Sequence, residues 1–456
     1  MSSDTMRPAI VRSYAATPKL LSRHDRRMSN EFTLSCVALF IMSPPLFAAD
    51  QSGQRFDSTA FPQPPRSLDR HRLRADTPAV GHLVHLNNAG ASLPPQQVTE
   101  RVIAHLRLEE QIGGYEAAER VAEEWENGRK SLAQLIGGQS EGIAIMESST
   151  AALHKVLSTV PLHSGDRILV AGAEYAGTVL PLLQLTRRMG VQLDFLPDGP
   201  DGTVDADELS RQLRTPTRMV FAVHAPSHNG LINDVIAIGA ATRAAQHQPW
   251  YVVDACQSLG QLPIDVSQID CDFLLASGRK YLRGPRGTGV LCVGPRALAE
   301  LDAFPLDVRG GTWARARDVE IDPTAVRFEN YERSVAAGLG LMAAADYAHQ
   351  IGIGAIAGAV ARNAEYLRSH LGGLADWRLL DRGKRRSGIV VVRSTATPPG
   401  EIVSSLRRER VNLHVVPATS NPRELGDQPA LRISPHAFNN QADLDRALDL
   451  LANFSS

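Results

Sequence analysis

Apolar and polar positions along this chain follow two rhythms. Short runs of Val, Ile, Leu and aromatic residues end in polar or glycine-containing turns, and between them lie stretches with apolar residues three and four apart. The first rhythm predicts strands at Ile143–Met146, Arg167–Ala171, Gln192–Phe195, Met219–Val223, Tyr251–Val253, Phe273–Ala276 and Val290–Val293. The second predicts helices between them, so the chain reads as α/β, with a parallel sheet and crossover helices. Upstream, a strand over Leu83–Leu86 leads into Asn87 and Asn88. Pro94 and Pro95 open a helix from Gln96 to Gln111, Gly113 and Gly114 stop it, and a second amphipathic helix spans Ala117–Ile136. Downstream come an Ala-rich helix over Val335–His349, strands at Gly388–Val392, Leu413–Val416 and Leu431–Ile433, and a closing helix over Ala442–Ala452.

Composition narrows the class. With 456 residues, 43% of them hydrophobic, the chain can bury a large core and divides into a larger and a smaller part. A net charge of -1 gives no electrostatic basis for nucleic-acid binding, and Lys384, Arg385 and Arg386 read as a solvated turn. The four cysteines, at 36, 256, 271 and 292, have no metal-ligand spacing and read as buried thiols. Residues 51–66 have a linker composition. Before them, Arg23, Arg26 and Arg27 precede an apolar run from Phe32 to Met42, roughly the layout of a secretory signal peptide. Against that layout stand the short run, Glu31 at its start, and large Leu46 or Phe47 before the best cleavage point. The expectation is a cytoplasmic protein, with export through residues 23–49 as the alternative; the run is too short for an ordinary membrane span.

Candidate chemistry gathers where strands end. Asp254 closes one apolar run, and Ser277, Gly278, Arg279 and Lys280 close another, at the carboxyl ends where open α/β sheets bind ligands. Such a pair suits pyridoxal 5'-phosphate (PLP): the lysine forms a Schiff base with the aldehyde, and the carboxylate keeps the ring nitrogen protonated. By position alone, a solvated lysine and an aspartate helix cap fit equally well. Ser149 and Thr150, at the start of a helix, read as N-caps or as anchors for a phosphate at the helix dipole. Tyr175 follows another strand as a buried tyrosine or a stacking ring. His224 and His228 lie close together, but no third ligand matches their spacing, so no metal is expected. Arg432 inside an apolar strand requires an anion, either a substrate carboxylate or an internal partner.

The wording of these segments resembles the class V aminotransferase family of PLP enzymes. Asp254, Gln257, Ser277, Arg279, Lys280, Gly284 and Pro285 stand where its pattern has an acid, a Gln or His, then Ser, a polar residue, Lys and a Gly-Pro-rich turn. The resemblance implies a fold-type I PLP transferase fold with a seven-stranded, mostly parallel sheet flanked by helices and a smaller C-terminal α/β domain. It implies a large PLP-binding domain over 68–305 and a small domain over 306–456, with 1–67 as a disordered or targeting extension. Residues 68–140 are then shared with the small domain and the dimer. It assigns Lys280 as the catalytic Schiff-base lysine, and Asp254, Gln257, Ser149, Thr150, Tyr175, Ser227, Ser277 and Arg279 as cofactor-binding residues. Arg432 takes the substrate carboxylate, and Asn88, in HLNNAGASLPPQQV, borders the substrate pocket. The segments VRGGTW (308–313) and RFENYERS (327–334) are similar to the part that reaches the partner subunit, which implies a homodimer.

For the reaction, desulfurases of this family use a mobile-loop cysteine, and the corresponding stretch here, NLHVVPATSNPR (412–423), has none. LNNAGASLPP, IGGYEAAERV, DACQSLGQLPIDV and GRKYLRGPRGTGVL are similar to the branch holding ergothioneine-pathway C–S lyases (hercynylcysteine sulfoxide lyase) and isopenicillin N epimerase-like proteins. The expectation is β-elimination from a cysteine conjugate or its sulfoxide. Transamination or epimerisation is the alternative, and a non-catalytic PLP-fold binding protein the remaining one. Tyr115, Trp313 and Arg333 are candidates for reading the substrate's distal group.

Overall fold

The computed structural model describes residues 68–196 and 198–454, so the signal-like segment, the linker and Cys36 lie outside the described residues. Its main sheet has seven strands: β1 (Ile143–Met146), β2 (Arg167–Val170), β3 (Gln192–Phe195), β4 (Met219–Val223), β5 (Trp250–Asp254), β6 (Phe273–Ser277) and β7 (Gly289–Val293). Their spatial order is β1-β7-β6-β5-β4-β2-β3. The run from β3 through β2, β4 and β5 to β6 is parallel, while β7 is antiparallel to both β6 and β1. Strands β4 to β7 are buried at every residue, which is why they read as near-continuous apolar runs. Edge strand β3 alternates exposed and half-buried positions. Two reversals cancel, so β1 ends on the same edge as the parallel strands, and the residues after β1, β2, β4, β5 and β6 meet there.

Helices α1 (Gln96–Ile112), α2 (Gly114–Arg120) and α3 (Ala122–Leu135) precede β1, and α4 (Ser149–Thr159) follows it. Gly113 ends α1 with φ near 95°, a backbone that side chains larger than glycine rarely adopt. The single helix expected over Ala117–Ile136 is two, broken at β-branched Val121, whose N–H turns back to the carbonyl of Ala118. Ala-rich α5 (Val335–Ile351) buries ten residues and packs on α1 and α3.

A second sheet holds β8 (Trp377–Leu379), β9 (Val390–Ser394), β10 (His414–Val416) and β11 (Ala430–Ile433), all antiparallel in the order β8-β9-β11-β10. Strand β8 went unseen in the sequence, being three residues long with one exposed. So did a hairpin of Gly311–Arg315 with Asp318–Ile321, whose residues are almost all exposed and give no apolar pattern. Val84–His85 pairs in parallel with Val411–Asn412, and Asn87 bridges to Ser434, which stitches the N-terminal segment to the second sheet.

Candidate active site

Because β5 and β6 are parallel neighbours, with Asp254 opposite Leu275, Asp254 and the Ser277–Lys280 turn emerge side by side. Ser149, Thr150, Tyr175, Ser227, Asp254, Gln257, Ser277, Arg279 and Lys280 line one pocket at this edge, together with Cys256 and Thr178. These nine were all singled out from sequence; only the tertiary fold brings them together.

Lys280 is half-buried. Burial pushes its ammonium below the usual lysine range, and Arg279 and Arg432 push the same way, against Cys256 and Asp254. The carboxylate of Asp254 is oriented by the N–H of Cys256, which donates to Oδ1 at 2.7 Å. Behind Asp254 lies the carboxyl of Glu174, 1% exposed. Burial, and then the Asp254 charge, hold the Glu174 carboxyl well above its ordinary range. Sequence reasoning missed Glu174, since a glutamate in a strand-to-helix turn looks like a solvated residue; its place just after the buried apolar run 168–170 was the available signal.

At the other end of the pocket the helix cap goes to Ser148, whose Oγ accepts from the N–H of Ala151 at 3.0 Å. Ser149 and Thr150 are thereby spared capping duty and line the pocket at the N-terminus of α4. Gly289 of β7 lies beneath them: a Cβ there would come within 2.6 Å of the Ser148 backbone and 2.8 Å of the Ser149 nitrogen. The Cys256 thiol sits 3.6 Å from Ser277 Oγ, and burial pushes it up to about 11, so it stays protonated. Tyr175 is 49% exposed, leaving a free ring surface rather than a buried one. Arg279 donates to the carbonyl of Gly90.

Arg432, on central strand β11, is 5% exposed. It donates through Nη1 to the carbonyl of Ser227 at 3.3 Å and through Nη2 to Asn87 Oδ1 at 3.2 Å, while its Nε is buried without a partner. Among the described residues it forms no ion pair, and its hydrogen-bond partners are neutral. Burial lowers it only to about 10, so it remains a cation.

Asn88 corrects the sequence reading. Its side chain is fully buried, donates to the carbonyls of Ser434 and His85, and accepts from Ser92 Oγ at 2.6 Å, so nothing is left for a substrate. The adjacent Asn87 is the one that meets Arg432. Tyr115 and Trp313, 77% and 80% exposed, stand outside the pocket, and Arg333 lies over the ring of Trp125. His228 pairs with Glu424 at 2.9 Å, and burial pushes His224 down to about 4.

The pocket's groups suit pyridoxal 5'-phosphate. An amine of lowered basicity, a fixed carboxylate, a hydroxyl-lined helix N-terminus that a Cβ at 289 would obstruct, and the unpartnered buried Oε1 of Gln257 match an aldehyde, a ring nitrogen, a phosphate and a ring substituent. Comparison with known proteins agrees. Isopenicillin N epimerase of Streptomyces clavuligerus is 30% identical over 387 residues, covering 81% of this chain and 94% of that protein. A probable cysteine desulfurase of Pyrococcus abyssi is 25% identical over 397 residues, covering 83% and 96%. The cystine C-S lyase C-DES, solved with its product cysteine persulfide, superimposes with a TM-score of 0.76 at 23% identity, covering 83% of this chain and 100% of that one. A C-DES variant with glycine covalently linked to the PLP cofactor gives 0.76 at 22% identity, covering 84% and 99%. Residues 84–447 match the family described as Aminotransferase class-V, and the chain belongs to that family of PLP-dependent enzymes.

Proposed function

We propose that this enzyme is a C–S lyase that eliminates the sulfur substituent from a cysteine conjugate or its sulfoxide, giving pyruvate, ammonia and a thiol or sulfenic acid. One observation carries the reading: the one thiol among the described residues that lines the pocket, Cys256, is buried and held protonated, its pKa pushed up to about 11, which makes it a poor acceptor of sulfur. The described cysteines, Cys256, Cys271 and Cys292, are all buried, and none lies in 412–423. PLP supplies the electron sink that makes a Cα proton removable. Lys280 takes that proton, its lowered basicity placing it nearer working pH than a free lysine, and returns one to the departing sulfur. Arg432 holds the α-carboxylate through its unsatisfied donors. Asp254 would hold the ring nitrogen, Tyr175 would cover the ring, and Gln257 and Ser227 would hydrogen-bond its oxygen. Ser149, Thr150 and Ser277 would hold the phosphate, with Arg279 beside them at the pocket lining.

The likeness to isopenicillin N epimerase favours a second reading, epimerisation at Cα. Incubating the holoenzyme with cysteine conjugates and their sulfoxides separates the two. The lyase gives equimolar pyruvate and ammonia; an epimerase changes optical rotation and forms no keto acid. A keto acid formed only with an amino acceptor would identify an aminotransferase.

We also infer a homodimer. Val308, Trp313 and Tyr331 are 76%, 80% and 50% exposed, in or beside the two segments expected to reach a partner, and large apolar side chains so exposed favour a covering surface. Among the described residues no helix is long and apolar enough to cross a membrane.

A further inference from the structure

Two turns at the sheet edge carry pocket residues from different strands: Gly172–Tyr175 after β2, and Ser227–Gly230 after β4. One segment, residues 417–426 between β10 and β11, grips both. Asn421, 5% exposed, donates through Nδ2 to the carbonyls of Gly172 at 2.9 Å and Glu174 at 3.1 Å, and its Oδ1 accepts from the N–H of Glu424 at 3.2 Å. Both ends of this amide are therefore engaged. Three residues on, the Glu424 carboxylate accepts from His228 Nε2 at 2.9 Å, Asn229 Nδ2 at 2.5 Å and Arg382 at 3.1 Å. Arg382 in turn donates its backbone N–H to the carbonyl of Asn229 at 2.8 Å. Arg423 lies 3.8 Å over the ring of Phe195, at the end of β3.

These contacts bear on the cofactor because of what each turn carries. Asn421 fixes the backbone immediately before Tyr175, whose ring is half exposed in the pocket. Glu424 fixes the two residues after Ser227, which lines the pocket and whose carbonyl receives Arg432. A carboxylate 10% exposed with three donors is a strong anchor, since charge-assisted bonds are shorter and stronger than neutral ones.

We propose that residues 417–426 form a fixed latch, in which Asn421 and Glu424 are positioning residues that hold the Tyr175 and Ser227 turns in register around the cofactor. The latch rests on the PLP site and is independent of whether the reaction is elimination or epimerisation. The segment stands behind the turns that line the pocket, and cofactor retention depends on side chains that do not touch the cofactor.

The test uses the holoenzyme and needs no substrate. In the parent, hydrogen exchange at the amides of 417–426 should be as slow as in β4 and β5; exchange as fast as in the exposed 311–321 hairpin would overturn the proposal, whatever the variants do. Asn421→Ala and Glu424→Ala should weaken the visible circular dichroism of the bound cofactor. They should also raise its dissociation rate about tenfold, the effect of losing a buried hydrogen bond or two. Glu424→Gln keeps acceptor capacity and should recover part of both signals. A merely structural role predicts instead a lower melting temperature of the cofactor-free protein with an unchanged dichroic band and dissociation rate, and that outcome sinks the latch.

Discussion

Arg432 Nη1 donates to the carbonyl of Ser227 at 3.3 Å, so a cation from the second sheet ends against a turn of the main one. The bond leaves Nε without a partner and the charge without a counter-ion. A substrate carboxylate would supply both. Arg432→Ala should raise KM for an amino-acid substrate about 10- to 100-fold, the range of a charge-assisted bond of roughly 1.5–3 kcal/mol. Arg432→Lys should recover little, because one ammonium cannot reproduce the fork. Steady-state kinetics with the α-carboxylate and α-carboxamide forms of one substrate checks this: the arginine-dependent difference should vanish for the amide.

Lys280→Ala should still take up cofactor through the hydroxyl cradle at α4. Borohydride followed by peptide mass analysis should then find no adduct, whereas the parent carries one on Lys280. Turnover should fall by about 10² to 10⁴, the usual contribution of a positioned base. A parent protein that is colourless and forms no Lys280 adduct would remove the assignment of this lysine.

Glu174 should make the fold sensitive to rising pH. Its carboxyl is held well above the ordinary value of 4.5, chiefly by burial and then by Asp254. Below that value both folded and unfolded chains carry the proton, and the contribution is fully present. As pH rises above it, the unfolded chain releases the proton while the folded one keeps it, so stability falls until the folded group also titrates. Glu174→Gln should flatten this decline and melt higher than the parent at pH 8. Equal slopes in the melting temperatures of the two proteins from pH 5 to 9 would refute it.

His436 works in the opposite direction. Stacked between Tyr281 and Phe438 with its Nε2 3.0 Å from the carbonyl of Tyr281, it is pushed down by burial to about 3. Its contribution is fully present above the ordinary histidine value of 6.5 and is lost as pH falls toward 3. His224, pushed down to about 4, adds to the same loss. His436→Gln should therefore reduce the acid sensitivity of unfolding between pH 6.5 and 4, measured by urea titration.

In the proposed homodimer Trp313 would lie in the interface. Trp313→Arg should shift the mass measured by light scattering toward one chain at low micromolar concentration, while the melting of the cofactor-free subunit changes little. A dimer of undiminished stability would move the interface elsewhere.

Most of the main sheet was legible because strands buried on both faces need apolar residues on both, so each of these appears as an uninterrupted run closed by a polar turn, while edge strand β3 alternates. Asp254 and Lys280 were legible for the same reason, as polar residues at the ends of such runs. The exposed hairpin at 311–321 and three-residue β8 lack that signal, and the break at Val121 depends on local backbone geometry that amphipathic spacing does not encode.

By itself, then, the sequence determined which residues must leave water and which chemistry could stand at the strand ends, since hydrophobic periodicity is local along the chain. What the tertiary structure decided concerns partners distant in sequence. Asn87, not Asn88, meets an arginine 345 positions away, and His228 finds Glu424 across 196 positions. Glu174 comes to lie behind Asp254 because β2 and β5 flank β4 in the sheet. Hydrogen bonds and charge interactions are short-ranged and set by distance in space, so their partners are fixed only once the strand order is.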